Sequence, residues 1–546
     1  MKLSIVLKGL VAILFAVVVS LGSIYAILTQ DGLRARLERL WKYNPVVNAN
    51  RPTYREEEIS LTHTTLRLEA YNLAGMGAGL VSGGGALAVL DNGILVAERS
   101  GGFFFIRPDG AGSMLNQTSI AIDINQEGFE RQAKADGYAV KPGRNVGYAG
   151  LGMRLHDLLV IDDGEHLLAS FTRWDDARSC AEMHVFAGEL NVKDGLPQVG
   201  GWRDVFTSAP CLPFSGRKGK PFAGHQAGGR MAEMADGRIL MTLGDFKLDG
   251  FRRKGSTRDE GSDYGKLHVI DLETATSAVF STGHRNPQGL VIGESGEIWS
   301  TEHGPTGGDE LNLIRQGDDY GWPLVTYGRD CGSDCDWQLQ GRHDGFVLPL
   351  FSYVPSIGIS NLIQLRGFVE GWNGDLMVAS LKQETLHHLT IRDRRVVYDE
   401  PIRIGRRIRD IHQMPDGRIA LWTDSGELIF LSQRTDPSFA DLEIAKLTPA
   451  AQAVVGDCAA CHSFGRGSRS AETVSLWGIN GRAKAAAPNF PYSDAMIAAG
   501  GVWDEASLSA FLADPSGYLP DGVMPYEGIA DTAVRAEVVA FLKRLQ

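Results

Sequence analysis

The sequence predicts an all-β six-bladed β-propeller, followed by a small all-α domain and preceded by an N-terminal transmembrane helix. Three observations carry this. A turn-then-strand pattern recurs six times between residues 60 and 435. Long helical periodicity is nearly absent there and returns only after Leu447, where the composition becomes Ala-rich. An uncharged apolar run fills residues 9–28.

The chain has 546 residues, with 54 Lys+Arg against 66 Asp+Glu and a formal net charge of −12. A hydrophobic content of 43% excludes a disordered polymer. The acidic balance argues against a nucleic-acid binder, which needs a basic face to neutralise phosphates. The 66 glycines follow no collagen period and read as turn residues of an all-β protein.

Gly9–Leu28 is long enough to cross a bilayer as a helix. A cleaved signal peptide is the rival, but Ala26 has Ile24 at the −3 position, a poor cleavage match. Residues 1–30 are therefore read as a retained anchor. Residues 31–60 are read as an amphipathic connector, with Leu33, Leu37, Leu40 and Trp41 on one side. It lies on the membrane or stands as a solvated helix. Positive-inside counting alone puts the body in the cytoplasm. The cysteines argue the other way: Cys180, Cys211, Cys331 and Cys335 are enough for two disulfides, for example Cys180–Cys211 and Cys331–Cys335. The expected location is the inner (cytoplasmic) membrane, with the body facing the periplasm.

Residues 61–432 carry the six recurrences: 90–98, 161–170, 234–245, 293–304, 372–381 and 414–423. Each sets Asn, Asp, Ser or Glu beside Gly, then an apolar strand. Six irregular repeats suit six propeller blades, with a pair of β-sandwiches as the structural alternative. Residues 433–446 lack strand alternation and contain Pro437, so they read as a linker. Residues 447–546 form the second domain.

In that domain Cys458-Ala-Ala-Cys461-His462 is a haem-attachment motif. Two thiols one helical turn apart meet the porphyrin edge, and His462 then sits on the iron. A second axial ligand is expected from Met524, in a loop stiffened by Pro520 and Pro525, with Met496 as the other local candidate. A bare zinc or redox C-x-x-C is the bland alternative. The region resembles class I cytochromes c, on GDCAACH (456–462), Gly481-Arg482, NFPYSDAM (489–496), Trp503 and the Met524 loop. The family's Gly-Pro is Thr473-Val474 here. In the family the Pro carbonyl steadies the haem histidine, and Val474 offers a carbonyl for the same role.

Polar clusters break the strand pattern of the middle region. They are His225 with Arg230 and Asp245, GHRNPQG (283–289), EHGPTGGDE (302–310) continuing to Tyr320, Lys382, and Arg407 with Arg409. Loops at blade edges converge on a propeller axis, so the clusters are expected to share one site. Arg285, Lys382, Arg407 and Arg409 suit a polyanionic ligand. The Gly304 and Pro305 carbonyls, with Asp309 and Glu310, suit a hard cation such as calcium. His225 is the best general base, with Asp245 to orient it.

Residues 80–430 resemble the soluble-type glucose/sorbosone dehydrogenases, six-bladed propellers that use pyrroloquinoline quinone (PQQ) and calcium. GHRNPQGL (283–290) and EHGPTGGDELN (302–312) are the most specific stretches. The resemblance implies His225 as catalytic base with Asp245 its partner. It implies PQQ held by Arg285, Asn286, Lys382, Arg407 and Arg409. It implies calcium on the Gly304 and Pro305 carbonyls, and a second, structural calcium at Glu310 and the Tyr320 carbonyl. The family's Ser-Gly beside the cofactor is Ile359-Ser360-Asn361 here. The expected function is oxidation of an aldose or similar hydroxyl compound, with electrons passed through one covalent haem c to a respiratory acceptor. Two rivals stand beside it: a calcium-dependent hydrolase such as a lactonase, and a non-enzymatic propeller that presents a cytochrome.

Overall fold

The structure is a computed structural model. It describes residues 54–545 apart from 74–83, 108–114, 138–152, 162–163, 215–221, 223, 249–256, 329–340, 435–438, 460, 465–473, 488–489 and 491.

Six antiparallel sheets form the blades of a propeller. Blade 1 holds β3 (Ala86–Leu90), β4 (Gly93–Ala97), β5 (Gly102–Ile106) and β6 (Leu115–Ala121). Blade 2 holds β7 (Arg154–Ile161), β8 (His166–Asp175), β9 (Cys180–Lys193) and β10 (Leu196–Thr207), with β11 (Leu212–Pro213) also on β9. Blade 3 holds β12 (Gly228–Glu233), β13 (Ile239–Leu243), β14 (Lys266–Asp271) and β15 (Thr276–Thr282). Blade 4 holds β16 (Pro287–Ile292), β17 (Ile298–Glu302), β18 (Asp309–Ile314) and β19 (Phe351–Tyr353). Blade 5 holds β20 (Ile359–Gln364), β21 (Leu376–Ser380), β22 (Thr385–Arg392) and β23 (Arg395–Arg403). Blade 6 combines β24 (Ile408–Gln413), β25 (Ile419–Thr423) and β26 (Glu427–Gln433) with β2 (Thr65–Asn72) and β1 (Tyr54–Ser60) from the chain start.

The ring closes because β2 pairs with β26, from Leu66 opposite Gln433 to Asn72 opposite Glu427. The first and last strands share one blade, so opening the ring requires breaking a full ladder. All six recurrences fall at one place: the hairpin between the innermost and second strands of each blade. Gly237, Gly296, Gly374 and Gly417 there have φ of 78°, 83°, 83° and 87°, which an L side chain adopts only with strain. The recurrences also supply hydroxyls on the second strand that tie neighbouring blades. Ser170 Oγ donates to the Gly229 carbonyl (2.5 Å), Thr242 Oγ1 to Pro287 (3.2 Å) and Thr301 Oγ1 to Ser360 (2.6 Å). Apolar clusters between the blades complete the core, with Leu95, Phe103, Phe171 and Met241 in one and Ile411, Leu421 and Ile429 in another.

The structure differs from the sequence reading in three places. Residues 54–60, assigned to the connector, form β1, because Ile59 is buried in the last blade. Helix α1 (Gln126–Ala135) sits between β6 and β7, capped by Asn125 and packed through Phe129 on Trp174 at 5.4 Å. Part of the expected linker 433–446 is helix α2 (Phe439–Ile444), whose Ala440 is buried in the second domain's core.

The second domain is helical: α3 (Pro449–Ala459), α4 (Asp494–Ala499), α5 (Glu505–Ala513), α6 (Pro515–Tyr518) and α7 (Thr532–Arg544). Phe541 of α7 and Phe464 meet edge to face at 5.4 Å, beside Val455 of α3.

The expected membrane placement is corrected. No helix of the described residues is long and apolar enough to cross a membrane. The expected anchor, residues 1–30, lies outside the described residues, as do residues 31–53 of the connector. The structure pairs Cys180 with Cys211, where β11 runs beside the start of β9. Cys331 and Cys335 lie outside the described residues.

Candidate active site

The innermost strands β3, β7, β12, β16, β20 and β24 neighbour one another around the axis. The residues that begin them therefore meet at one end. A cavity of ≈ 370 Å³ lies there, and its lining includes Arg154, His156, His225, Arg285, Asn286, His303, Gly304, Pro305 and Arg409. Arg154 opens β7, His225 precedes β12, Arg285 and Asn286 precede β16, and Arg409 is the second residue of β24. Gly304 and Pro305 follow β17, which runs antiparallel to its neighbour and so ends at the same rim. The structure thus brings together His225, Arg285, Asn286, Gly304, Pro305 and Arg409 of the sequence-derived set.

Arg407, Lys382 and Asp245 of that set lie off the lining, as do Glu310 and Tyr320. Arg407 bonds Asp424 at 2.9 Å and the Leu381 carbonyl at 3.2 Å. Lys382 is exposed in the turn after β21. Asp245 is fully buried behind the cavity, where its Oδ2 accepts from Trp322 Nε1 (2.9 Å) and its Oδ1 from the Lys247 amide (2.8 Å). Lys247 stands beside the expected base, with its Nζ 2.9 Å from His225 Nδ1.

The cavity is strongly cationic. Burial, with Arg409 nearby, lowers the Arg99 pKa to about 10, and burial beside Arg99 and Arg409 lowers that of Arg154 to about 9. Burial together with Lys247, Arg154 and Arg99 lowers His225 to about 3. Burial also lowers His303 to about 4, with Arg285 adding to the effect and Asp309 opposing it. Both imidazoles are therefore neutral near pH 7, available to accept or donate one proton. Asp424 is the counter-charge to Arg407 and Arg409, and these two arginines hold its carboxyl low against its burial. Mutually repelling, desolvated cations around one concave space are the physical signature of a site for a multiply charged anion.

Sequence reasoning missed Arg154, Arg99 and Lys247. Arg154 carried a readable signal, since a charged residue opening an innermost strand is also the position of Arg285 and Arg409. Lys247 carried none, because only the turn geometry directs it to His225.

The loop after β17 is built by Asp309. Its Oδ2 accepts from Ser356 Oγ (2.7 Å), Gly358 N (2.8 Å) and Ile359 N (3.1 Å), and its Oδ1 from Gly304 N (3.2 Å). The Gly304 carbonyl faces a cation, the Arg285 guanidinium, at 2.8 Å. Glu310 lies behind, buried beside Glu302, and burial together with Glu302 pushes its carboxyl well above the usual range. Tyr320 packs nearby, its ring stacked on His284 at 4.7 Å. Among the described residues no group of three or more His, Cys, Asp or Glu side chains is placed to hold a metal ion. Ser360 and Asn361, where the family pattern departs, are structural: Ser360 Oγ donates to the Ile408 carbonyl (2.7 Å) and Asn361 Nδ2 to Asp410 (2.8 Å).

A second cavity, of ≈ 410 Å³, lies in the helical domain and is mainly apolar. Cys458, Cys461, His462, Met496 and Met524 all line it. His462 Nδ1 is 2.8 Å from the Val474 carbonyl, which fixes the ring with Nε2 free. Burial raises the Cys458 thiol to about 11.

Residues 163–430 match the family model described as Glucose / Sorbosone dehydrogenase. The aldose sugar dehydrogenase YliI of Escherichia coli is 30% identical over 263 residues, covering 45% of this chain and 68% of that protein. A cytochrome c homolog of Rickettsia typhi is 40% identical over 90 residues, covering 16% of this chain and 51% of that protein. A solved structure described as glucose dehydrogenase superposes with a TM-score of 0.51 at 26% identity, covering 65% of this chain and 97% of that one. The chain thus spans about two thirds of one curated relative and about half of the other. It belongs to the glucose/sorbosone dehydrogenase family, and its C-terminal region adds a domain similar to cytochrome c.

Proposed function

We propose that the chain is a quinohaemoprotein dehydrogenase that oxidises an aldose or related hydroxyl compound and passes the electrons to a respiratory acceptor. The observation that carries this is the convergence of Arg154, Arg285, Arg409 and Lys247 on one cavity that also holds a neutral histidine. PQQ bears three carboxylates, and this donor set fits it. Arg285, Asn286, Arg409 and Arg154 would hold it, with Lys382 and Arg407 at the outer side. The Gly304 and Pro305 carbonyls would hold a calcium ion beside it only if the Gly304 oxygen gave up its bond to the Arg285 guanidinium. Glu310 with the Tyr320 carbonyl would suit a second, because Glu302 crowds the buried Glu310 carboxyl. Cys458, Cys461, His462 and Met524 fit haem c. When bound, PQQ supplies a two-electron acceptor, calcium a Lewis acid and haem c a one-electron relay.

The chain's own residues supply the rest. His225 takes the hydroxyl proton, and its neutral state at pH 7 leaves it free to do so. Asp245 and Trp322 hold the turn behind it. Arg285, its guanidinium carbon 5.2 Å from the centroid of the Trp322 ring, is held in place for an anion. A calcium-dependent hydrolase needs no such set of cations.

The test is titration of PQQ into the protein in the presence of calcium. Tight uptake and aldose-dependent reduction of a dye are expected. Absence of uptake would sink the reading in favour of the hydrolase or the non-enzymatic propeller.

A further inference from the structure

We propose that Lys247 is the proton acceptor behind His225, so that the two side chains act as a relay during substrate oxidation. The inference rests on the reading of His225 given above. It begins with geometry. Lys247 Nζ is 2.9 Å from His225 Nδ1. The turn that presents it is strained, since Phe246 and Lys247 have φ of 45° and 67° in succession and neither is glycine.

The surroundings hold that strain in place. Asp245 accepts the Lys247 amide at 2.8 Å and is itself pinned by Trp322 Nε1. Leu248 N closes the turn on the Asp245 carbonyl at 2.6 Å. With its amide oxygen facing Arg285, Gln226 also donates to Asp245 Oδ1 at 2.6 Å. Phe246 is clamped against Phe222 and Tyr264, with ring centroids 5.6 and 5.4 Å away. So many fixings for one strained turn point to a required position of the Lys247 side chain.

The charge balance says what that position does. The titratable groups facing His225 are Lys247, Arg154 and Arg99, all bases. Asp245 accepts from Trp322, Gln226 and the Lys247 amide. An imidazole so placed is a poor final home for a proton, because a base works best when its proton affinity matches the operating pH. A lysine amine crowded by other cations serves better, as an amine can exist uncharged where a guanidinium cannot.

The relay starts with an uncharged Lys247 accepting from His225 Nδ1–H, which leaves Nε2 open to the cavity. The substrate O–H bond breaks and Nε2–H forms. Nδ1–H breaks and Nζ–H forms. The hydride from the same carbon leaves to the quinone-class oxidant of the proposed function. One proton ends on Lys247, the imidazole stays neutral overall, and Lys247 returns the proton to water.

Two measurements test this. In the protein without PQQ, ring ¹⁵N NMR of labelled histidines should show His225 changing tautomer with pH in the wild type. In Lys247→Met that tautomer change should vanish and protonation should move to clearly higher pH. The same His225 titration in both proteins overturns the proposal. With PQQ loaded, Lys247→Arg keeps the charge but cannot accept a proton, so kcat should fall at least 10-fold with KM within about 2-fold. Wild-type kcat in Lys247→Arg overturns the relay and leaves only a charge effect. His225→Ala separates the two readings: full turnover there removes the base assignment itself, whatever Lys247 does.

Discussion

Arg230 Nη1 lies 2.6 Å from Asp157 Oδ1 and 2.8 Å from Asp410 Oδ1, all three side chains buried at the propeller axis. Arg230 comes from β12, Asp157 from β7 and Asp410 from β24, so one guanidinium joins three blades. Its other nitrogens reach the Gln288 and Arg409 carbonyls at 3.0 Å each. Asp410 adds Asn361 of β20 and the Leu87 amide of β3. This network forms the floor of the cationic cavity. Burial opposes the charge on Asp410, but Arg230 and His412 overcome it and hold the carboxyl low.

Arg230→Met should leave two buried carboxylates without the cation they share. Breaking one side of a buried pair typically costs about 3–5 kcal/mol. The midpoint of denaturant unfolding should therefore fall markedly. An unchanged midpoint would show that the network is solvated and energetically minor.

His225 gives a pH prediction with a definite sign. Its ordinary pKa is 6.5, and in the fold it is about 3. Between these values the unfolded chain binds a proton that the folded chain refuses. This group's contribution to stability therefore declines as pH falls from about 6.5 towards 3. His225→Gln should flatten that part of the stability curve, as read by unfolding at a series of pH values. A parallel curve for the two proteins would place the imidazole in water.

Arg154→Ala should weaken PQQ uptake, although sequence reasoning had not assigned this residue. A hydrogen bond to a charged group contributes about 1.5–3 kcal/mol, or roughly 10- to 100-fold in affinity. Exposed Lys382→Ala should cost less. Equal losses in the two variants, measured by equilibrium titration, would place the ligand further out than Arg154.

Glu310→Gln should raise the melting temperature of calcium-free protein, because it relieves the crowding of Glu302 and Glu310. Calcium should then stabilise the wild type and not the variant. Equal calcium stabilisation of both would move the ion elsewhere.

Both Met496 and Met524 line the helical domain's cavity. Met524→Ala in haem-loaded protein should abolish the weak near-infrared band of methionine-ligated ferric haem, and Met496→Ala should keep it. The reverse result assigns the ligand to α4.

The sequence by itself determined the features that are local in the chain. Each blade announces itself through one hairpin, because a turn needs Gly at positive φ and the strand after it needs a run of apolar residues. The repeats also carried Ser170, Thr242 and Thr301, although only the fold shows these hydroxyls reaching the next blade. The Cys458–His462 motif was legible because one helical turn sets its whole geometry. Residues 54–60 were misread because β1 gains its partner, β2, and its core only when the chain's two ends meet in blade 6. The same held for α2, which buries Ala440 in a domain that its own segment does not reveal. Tertiary structure alone decided which cations meet. It brought Arg154 and Arg409, 255 positions apart in the chain, to one cavity. It kept Arg407 on Asp424 instead, and gave Lys247 the place beside His225 that Asp245 had been expected to fill. Those choices depend on where innermost strands begin and how one strained turn is held, distances that no local pattern encodes.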